Sequence, residues 1–272
     1  MKFLSWDTSS KAGVVVAVEC SDTDPRDVKL VSEFALHVDA THSERLLWAI
    51  HQVLASARWT LDEIDVLAVG TGPGSFTGLR IGVTTARTLA HTLGKPLIAL
   101  SSLAALARPV AQYFESLGHE ILVIAATDAC KGELFTLWGS AKEVQKCWMQ
   151  GSERESLLWS SVVQEVVLSP DQLLHSVLPV LNQENSKLRW TAVGEGVHRY
   201  PEMWSQLPQA QKVIFPLPFG HQVDGRALGM MACEAWHIQK EWSALSVFPR
   251  YLRASDAEIK LRSGLLPRSR TE

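Results

Sequence analysis

Short apolar runs alternate with amphipathic stretches along most of this chain. Lys2–Trp6 reads as a strand, Asp7-Thr8-Ser9-Ser10 as a turn closing at Gly13, and Val14–Val18 and Val28–Val38 as two further strands. Leu46, Leu47, Ile50 and Leu54 fall at helical spacing behind Ser43, a fitting N-cap, with Glu44 in the first turn. Thr60-Leu-Asp-Glu63 has the form of a capping box. A buried strand, Val66–Val69, runs into Gly70-Thr-Gly72-Pro-Gly74. A helix is expected over about Thr77–Leu93, a strand over Pro96–Leu100 and a helix over about Ser102–Leu117.

The same order then restarts. Ile121–Thr127 is an apolar strand ending in Asp128, a turn reaches Gly132, and Glu133–Trp138 is a strand. Val166–Leu168 follows, then Ser169-Pro-Asp171 opens a helix through Leu178. Trp190–Val193 runs into Gly194-Glu-Gly196 and a helix to about Trp204. Val213–Phe215 reads as a short strand and Val223–Trp242 as a helix.

Three landmarks recur at one spacing: Asp7 to Asp128 is 121 residues, Gly70 to Gly194 is 124, and Ser102 to Val223 is 121. Order and spacing together point to an internal duplication, two α/β lobes each built as βββαβαβα. A period this long marks two lobes rather than a solenoid. A hairpin followed by alternating strands and helices gives mixed sheets with helices packed on them. The expected division is an N-terminal lobe over 1–103 and a C-terminal lobe over 104–221. A terminal helix and basic tail over 222–272 are expected to pack back on the N-terminal lobe.

Composition narrows the picture. With 46% hydrophobic and 20% charged residues among 272, the chain can bury a sizeable core. Residues 250–272 carry +3 within a net charge of −3, so the remaining body stands at −6. A body this acidic is a poor stand-alone nucleic-acid binder, since phosphate neutralisation supplies most of that affinity. No secretory signal follows Met1, because Asp7 interrupts the apolar stretch. The longest run free of Asp, Glu, Lys and Arg, Val66–Leu79, is 14 residues, short of the ~20 a membrane span needs. Cys20, Cys130, Cys147 and Cys233 have no C-x-x-C spacing and read as reduced thiols. The expected location is the cytoplasm.

Two segments carry candidate chemistry. Asp7, Thr8 and Ser9 offer a carboxylate, hydroxyls and amides that suit a phosphate and its magnesium, with Asp128 as the second-lobe counterpart. The plainer reading, a turn that satisfies its own backbone, is the stronger one on spacing alone. Gly70–Gly78 is a glycine-rich strand-to-helix loop of the kind that receives anions, but neither a Walker loop nor a dinucleotide fingerprint. The helix after it carries Gly74, Gly78, Gly82, Ala86, Ala90 and Gly94 every four residues. Glycine inside a helix costs up to ~1 kcal/mol against alanine, so this stripe needs a packing purpose. It serves either close packing within the lobe or contact with another subunit, and spacing does not choose. No H-x-x-x-H pair and no G-x-S-x-G elbow is present, so no metal site is expected.

Several segments occur together in a familiar order: Asp7-Thr8-Ser9, His42-Ser43-Glu44-Arg45-Leu46-Leu47, Gly72-Pro-Gly-Ser-Phe-Thr-Gly-Leu-Arg-Ile-Gly82, Gly94-Lys95-Pro96, and Tyr251-Leu252-Arg253 with Ala257-Glu258. They resemble the TsaB family of bacterial tRNA threonylcarbamoyladenosine biosynthesis proteins, closely over 1–103, thinly over 104–220 and again at the C-terminus. The resemblance implies the two-lobed fold of actin, sugar kinases and heat-shock ATPases (ASKHA). It also implies a subunit without catalytic activity of its own, required for threonylcarbamoylation of the adenosine beside the anticodon in tRNAs reading codons that begin with adenine.

Such a subunit pairs with a TsaD-like catalytic subunit and is joined by a TsaE-like ATPase. It reaches tRNA only through the complex, and alone it forms a homodimer. ATP and magnesium are expected, if at all, at the level of the complex. Pairing through the first two helices of the N-terminal lobe makes Ser43, Leu46, Leu47, Ile50, Thr77, Gly78, Ile81, Gly82 and Thr85 the expected interface. It tips the glycine stripe toward that role. Departures from the family pattern are Trp48 for a frequent proline, Cys130 for a common arginine, a second Asp turn without a close Asp-x-Gly, and a longer polar stretch, Ala141–Gln164.

The competing readings are an ATP-dependent kinase or transferase working through both Asp turns, and a metallopeptidase. The absent paired metal ligands speak against the second.

Overall fold

A computed structural model describes residues 1–37, 42–146, 165–182, 188–214, 221–239 and 241–253, with the backbone alone at 36–37 and 42–44. Two mixed sheets form. The first has the order β3-β2-β1-β4-β5, from β1 (Lys2–Asp7), β2 (Ala12–Cys20), β3 (Val28–His37), β4 (Val66–Gly70) and β5 (Leu97–Leu100). β1 pairs antiparallel with β2 and parallel with β4. The second repeats the plan as β8-β7-β6-β9, from β6 (Ile121–Cys130), β7 (Glu133–Ser140), β8 (Glu165–Leu168) and β9 (Arg189–Val193). β6 pairs antiparallel with β7 and parallel with β9. This is a two-lobed α/β fold in which the second sheet repeats the plan of the first with one strand fewer.

Alternation along the strands builds the layers. Phe3, Val14, Val16 and Val18 point to one face of the first sheet, and Leu4, Trp6, Val15 and Ala17 to the other. The second face is covered by α1 (His42–Ala57) and α2 (Phe76–Leu93), through Leu46, Ile50, Val53, Val83, Ala86 and Ala90. The first face receives α3 (Ser102–Ser116) and the last helix, α8 (Gly225–Ile238). α3 also lies on β6 and on the short α4 (Ala141–Val144), so one continuous core runs through both lobes. α8 lies on β1 and β2, where a β-carbon at Gly229 would stand 2.6 Å from Val18 Cγ1. The outer face of the second sheet is covered by α5 (Pro170–Leu181), α6 (Gly196–Arg199) and α7 (Pro201–Ser205).

The duplication is least exact near its end. The strand expected at Val213–Phe215 is reduced to a single parallel bridge, Trp190 to Lys212, with Val213 N donating to Trp190 O at 2.8 Å; Phe215 lies outside the described residues. The helix expected to run from Gly196 to Trp204 is two pieces, because Pro201 has no N–H to continue the first. The Thr60–Glu63 box forms as expected, with Thr60 N donating to Glu63 Oε2 at 2.8 Å. Val38, Cys147, most of the polar stretch Ala141–Gln164 and the basic tail beyond Arg253 lie outside the described residues.

Candidate functional site

The turn Asp7-Thr8-Ser9 and the loop before α2 close on each other. Asp7 is fully buried at the end of β1. Its Oδ1 accepts from Ser9 N at 2.8 Å and from Ser9 Oγ at 2.6 Å, and its Oδ2 accepts from Ser102 Oγ at 2.5 Å. Gly70 lies so close that a β-carbon there would sit 1.8 Å from Asp7 Oδ2. Thr8, also fully buried, donates Oγ1 to Gly78 O at 2.7 Å. Ser9 O accepts from Ser75 N at 2.6 Å.

This geometry favours the plainer reading of Asp7, Thr8 and Ser9, a turn that satisfies its own groups, over nucleotide binding. The Asp7 carboxylate, the Thr8 and Ser9 hydroxyls and the Ser9 N–H are buried and already hydrogen-bonded within the chain. The α2 N-terminus is likewise engaged: Ser75 caps it, its side chain accepting from Gly78 N at 3.3 Å, and Ser9 O occupies the approach. The residues present therefore do not fit a Mg–phosphate group. Asp128 makes the matching local turn, with Oδ1 accepting from Cys130 N at 2.9 Å and Oδ2 standing 3.4 Å from Arg199 Nε. Among the described residues no group of three His, Cys, Asp or Glu is placed to hold a metal.

Asp7→Asn should lower stability by about 1–3 kcal/mol, because an amide N–H₂ would face donors at a fully buried site. Thermal unfolding of the nucleotide-free chain measures this. A magnesium-ligand role predicts no change without nucleotide.

The glycine stripe has the same explanation. A β-carbon at Gly74 would lie 2.3 Å from Ser9 O, one at Gly78 2.0 Å from Thr8 O, and one at Gly82 2.2 Å from Thr8 Oγ1. The stripe lets α2 lie directly on the Asp7 turn. Trp6 Nε1 completes the contact by donating to Gly82 O at 3.1 Å. Gly78 and Gly82 are thus in-lobe packing positions, which corrects their assignment to a partner interface. Leu46 and Ile50 need the same correction: both are buried in the core beneath α1. Four of the expected interface residues face outward. Leu47 and Thr77 are exposed, and Ile81 and Thr85 are half-buried. Ser43 lies in α1, but its side chain is outside the described residues.

The terminal segment, expected to pack back on the N-terminal lobe, forms as far as Arg253 a clasp whose individual contacts the sequence did not single out. After α8 the chain crosses from one lobe to the other. Val247 is buried in the core beneath α1 and α2, and Arg250 N donates to Thr71 O at 2.8 Å. Arg250 Nη1 reaches Glu165 Oε2 at 2.5 Å, and Ser101 Oγ donates to Glu165 Oε1. Arg253 Nη1 donates to Ala129 O at 2.6 Å beside the second Asp turn, and its Nε pairs with Glu133 Oε2 at 3.2 Å. Tyr251 stacks on Phe76 at 4.7 Å and accepts from Arg80 Nε at 3.2 Å. The only signal in the sequence was Tyr251-Leu252-Arg253, which carries no local period and so points to no partner.

Comparison with known proteins agrees with this architecture. A family model described as TsaD, tRNA N6-adenosine threonylcarbamoyltransferase, matches residues 36–176. The tRNA threonylcarbamoyladenosine biosynthesis protein TsaB of Haemophilus influenzae is 29% identical over 215 residues, 78% of this chain and 80% of that protein. TsaB of Escherichia coli is 29% identical over 203 residues, 75% of each chain. The solved structure of YeaZ from Pseudomonas aeruginosa is similar over 92% of this chain and 99% of its own, with a TM-score of 0.65 and 24% identity, which shows the shared fold. The chain belongs to the family that the TsaD model describes and, within it, to the TsaB proteins of tRNA threonylcarbamoyladenosine biosynthesis.

Proposed function

We propose that this chain is a non-catalytic subunit that supports threonylcarbamoylation of the adenosine beside the anticodon, in tRNAs reading codons that begin with adenine, by pairing with a TsaD-like catalytic subunit. The carrying observation is apolar surface left open on the N-terminal helices. Leu47 is 57% exposed and Trp48 50% exposed on α1, with Ile81 and Thr85 half-buried and Thr77 exposed on α2. These helices already bury Leu46, Ile50 and Val83 into their own sheet, and although Trp48 meets Phe34 edge-on and Ile81 touches the core, Leu47 and half of Trp48 stay open among the described residues. The saturated Asp7 turn supports the absence of a catalytic role. A TsaE-like ATPase and tRNA then meet this chain in the assembled complex, and the same face serves a homodimer when the catalytic subunit is missing.

Leu47→Glu tests the reading. It places a charge on the exposed face and leaves the core untouched, so the melting temperature should hold. Affinity for the TsaD-like subunit, measured by sedimentation or titration calorimetry, should fall at least about thirtyfold, the ~2 kcal/mol typical of an interface hot spot. Unchanged affinity would overturn the assignment of this face.

A further inference from the structure

Away from both Asp turns, the facing stripes of three helices enclose an open cavity of about 940 Å³. α8 contributes Arg226, Met230, Glu234, His237 and Ile238, which lie on one helical face at i, i+4, i+8, i+11 and i+12. α3 contributes Arg108, α4 contributes Lys142 with Lys146 just beyond its end, and the β2–β3 turn adds Arg26.

Two of these side chains carry buried polar atoms with no partner among the described residues. Arg108 is 5% exposed; its Nη2 donates to Glu234 Oε1, while its Nη1 is buried with no acceptor. His237 Nδ1 donates to Cys233 O at 2.8 Å, which leaves Nε2 buried and unpartnered. Buried polar atoms without hydrogen-bond partners are uncommon because each loses its hydration and regains nothing. Here two share one cavity.

The charge around them is one-sided. Among the described residues, five Lys and Arg line the cavity against two carboxylates, Glu234 and Glu115. Glu234 is already paired with Arg108, and Glu115 accepts from Gln145 Nε2. Arg26, Lys142, Lys146 and Arg226 make no ion pair among the described residues. A chain of net charge −3 thus concentrates cations at one concave site.

We infer that this cavity binds a small molecule through its phosphate group. A tetrahedral dianion supplies several acceptor oxygens at once, enough for Arg108 Nη1 and for the lysine and arginine rim. A nucleic-acid backbone suits the site less well, because the key guanidinium is sunk in the wall rather than presented on a convex surface. Met230 and the 57%-exposed Ile238 give the organic part of the ligand an apolar lip. The site is separate from the α1/α2 face, so the two assignments stand or fall independently.

The test is titration calorimetry of the full chain with inorganic pyrophosphate and with phenyl phosphate. Both should bind saturably, and the His237 ring proton resonances should shift in step with saturation. The rim variant Lys146→Ala/Arg226→Ala changes only exposed side chains. It should keep the melting temperature and weaken binding at least about tenfold. Arg108→Gln should weaken binding further where it folds, and the rim variant decides where it does not. No saturable binding in the millimolar range, binding indifferent to the rim variant, or a site occupied by single-stranded RNA but by neither phosphate probe would each overturn the inference.

Discussion

Gly78→Ala is expected to destabilise the chain by a net ~1–3 kcal/mol, although alanine is the better helix former. Propensity favours the substitution by up to ~1 kcal/mol in a helix interior. Against that stands the added β-carbon, 2.0 Å from the carbonyl oxygen of Thr8, a backbone atom that cannot rotate away. Forcing a methyl into a closed contact of this kind costs typically 1–3 kcal/mol and sometimes more. It also pushes α2 off the Asp7 turn, and with it the Thr8 Oγ1 bond to Gly78 O. A melting temperature lower by about 5–10 °C would register this.

Gly82 supplies the control, because there the obstacle is the Thr8 hydroxyl at 2.2 Å, a side-chain atom. Thr8→Ala should therefore relieve most of the cost of Gly82→Ala, and at Gly78→Ala only the part due to the lost Thr8 Oγ1 bond, a difference that a double-mutant cycle isolates. Gly78→Ala with wild-type stability, or equal relief at both glycines, would return the stripe to the surface role that the resemblance suggested.

The stripe shows where sequence reading stops. Its four-residue period was plain, and so was the need for a packing purpose, but a period on one helix does not say which neighbour fills it. The neighbour is a turn some 70 residues earlier, and only the β1–β4 register brings Thr8 under Gly78. Strand order, helix positions and the duplication were legible because alternation and amphipathicity are local properties. Asp7 was legible as a residue and misleading as a site: its neighbours Thr8 and Ser9 have the composition of a phosphate loop, and Ser102, 95 residues on, completes its hydrogen bonds. Leu46 and Leu47 are adjacent leucines on one helix, so composition treats them alike. A 100° turn per residue buries the first and exposes the second. Glu165 and Arg250 gave no sign at all, since an ion pair 85 residues apart has no period.

That ion pair carries the second large effect. Glu165→Ala should cost about 2–3 kcal/mol and should loosen the C-terminal crossing. The Glu165 side chain is fully buried and meets both Arg250, on the crossing segment, and Ser101, which caps α3 by accepting from Ala104 N at 3.0 Å. Breaking one side of a buried pair is worth ~3–5 kcal/mol, because the other charge is left without compensation. Arg250 is 31% exposed and recovers part of that from water, which sets the lower figure. Arg250→Ala alone strands the carboxylate, which has no access to water, so it should be the costlier single change. The double variant should cost less than the sum of the two. Because Arg250 N still holds Thr71 O and Tyr251 still stacks on Phe76, the segment should stay docked but open more often. Limited proteolysis between Val247 and Arg253 should then quicken in Glu165→Ala at temperatures where the core remains folded. Equal melting temperature and equal protease resistance would show that the lobes are held by their shared α3/α8 core alone.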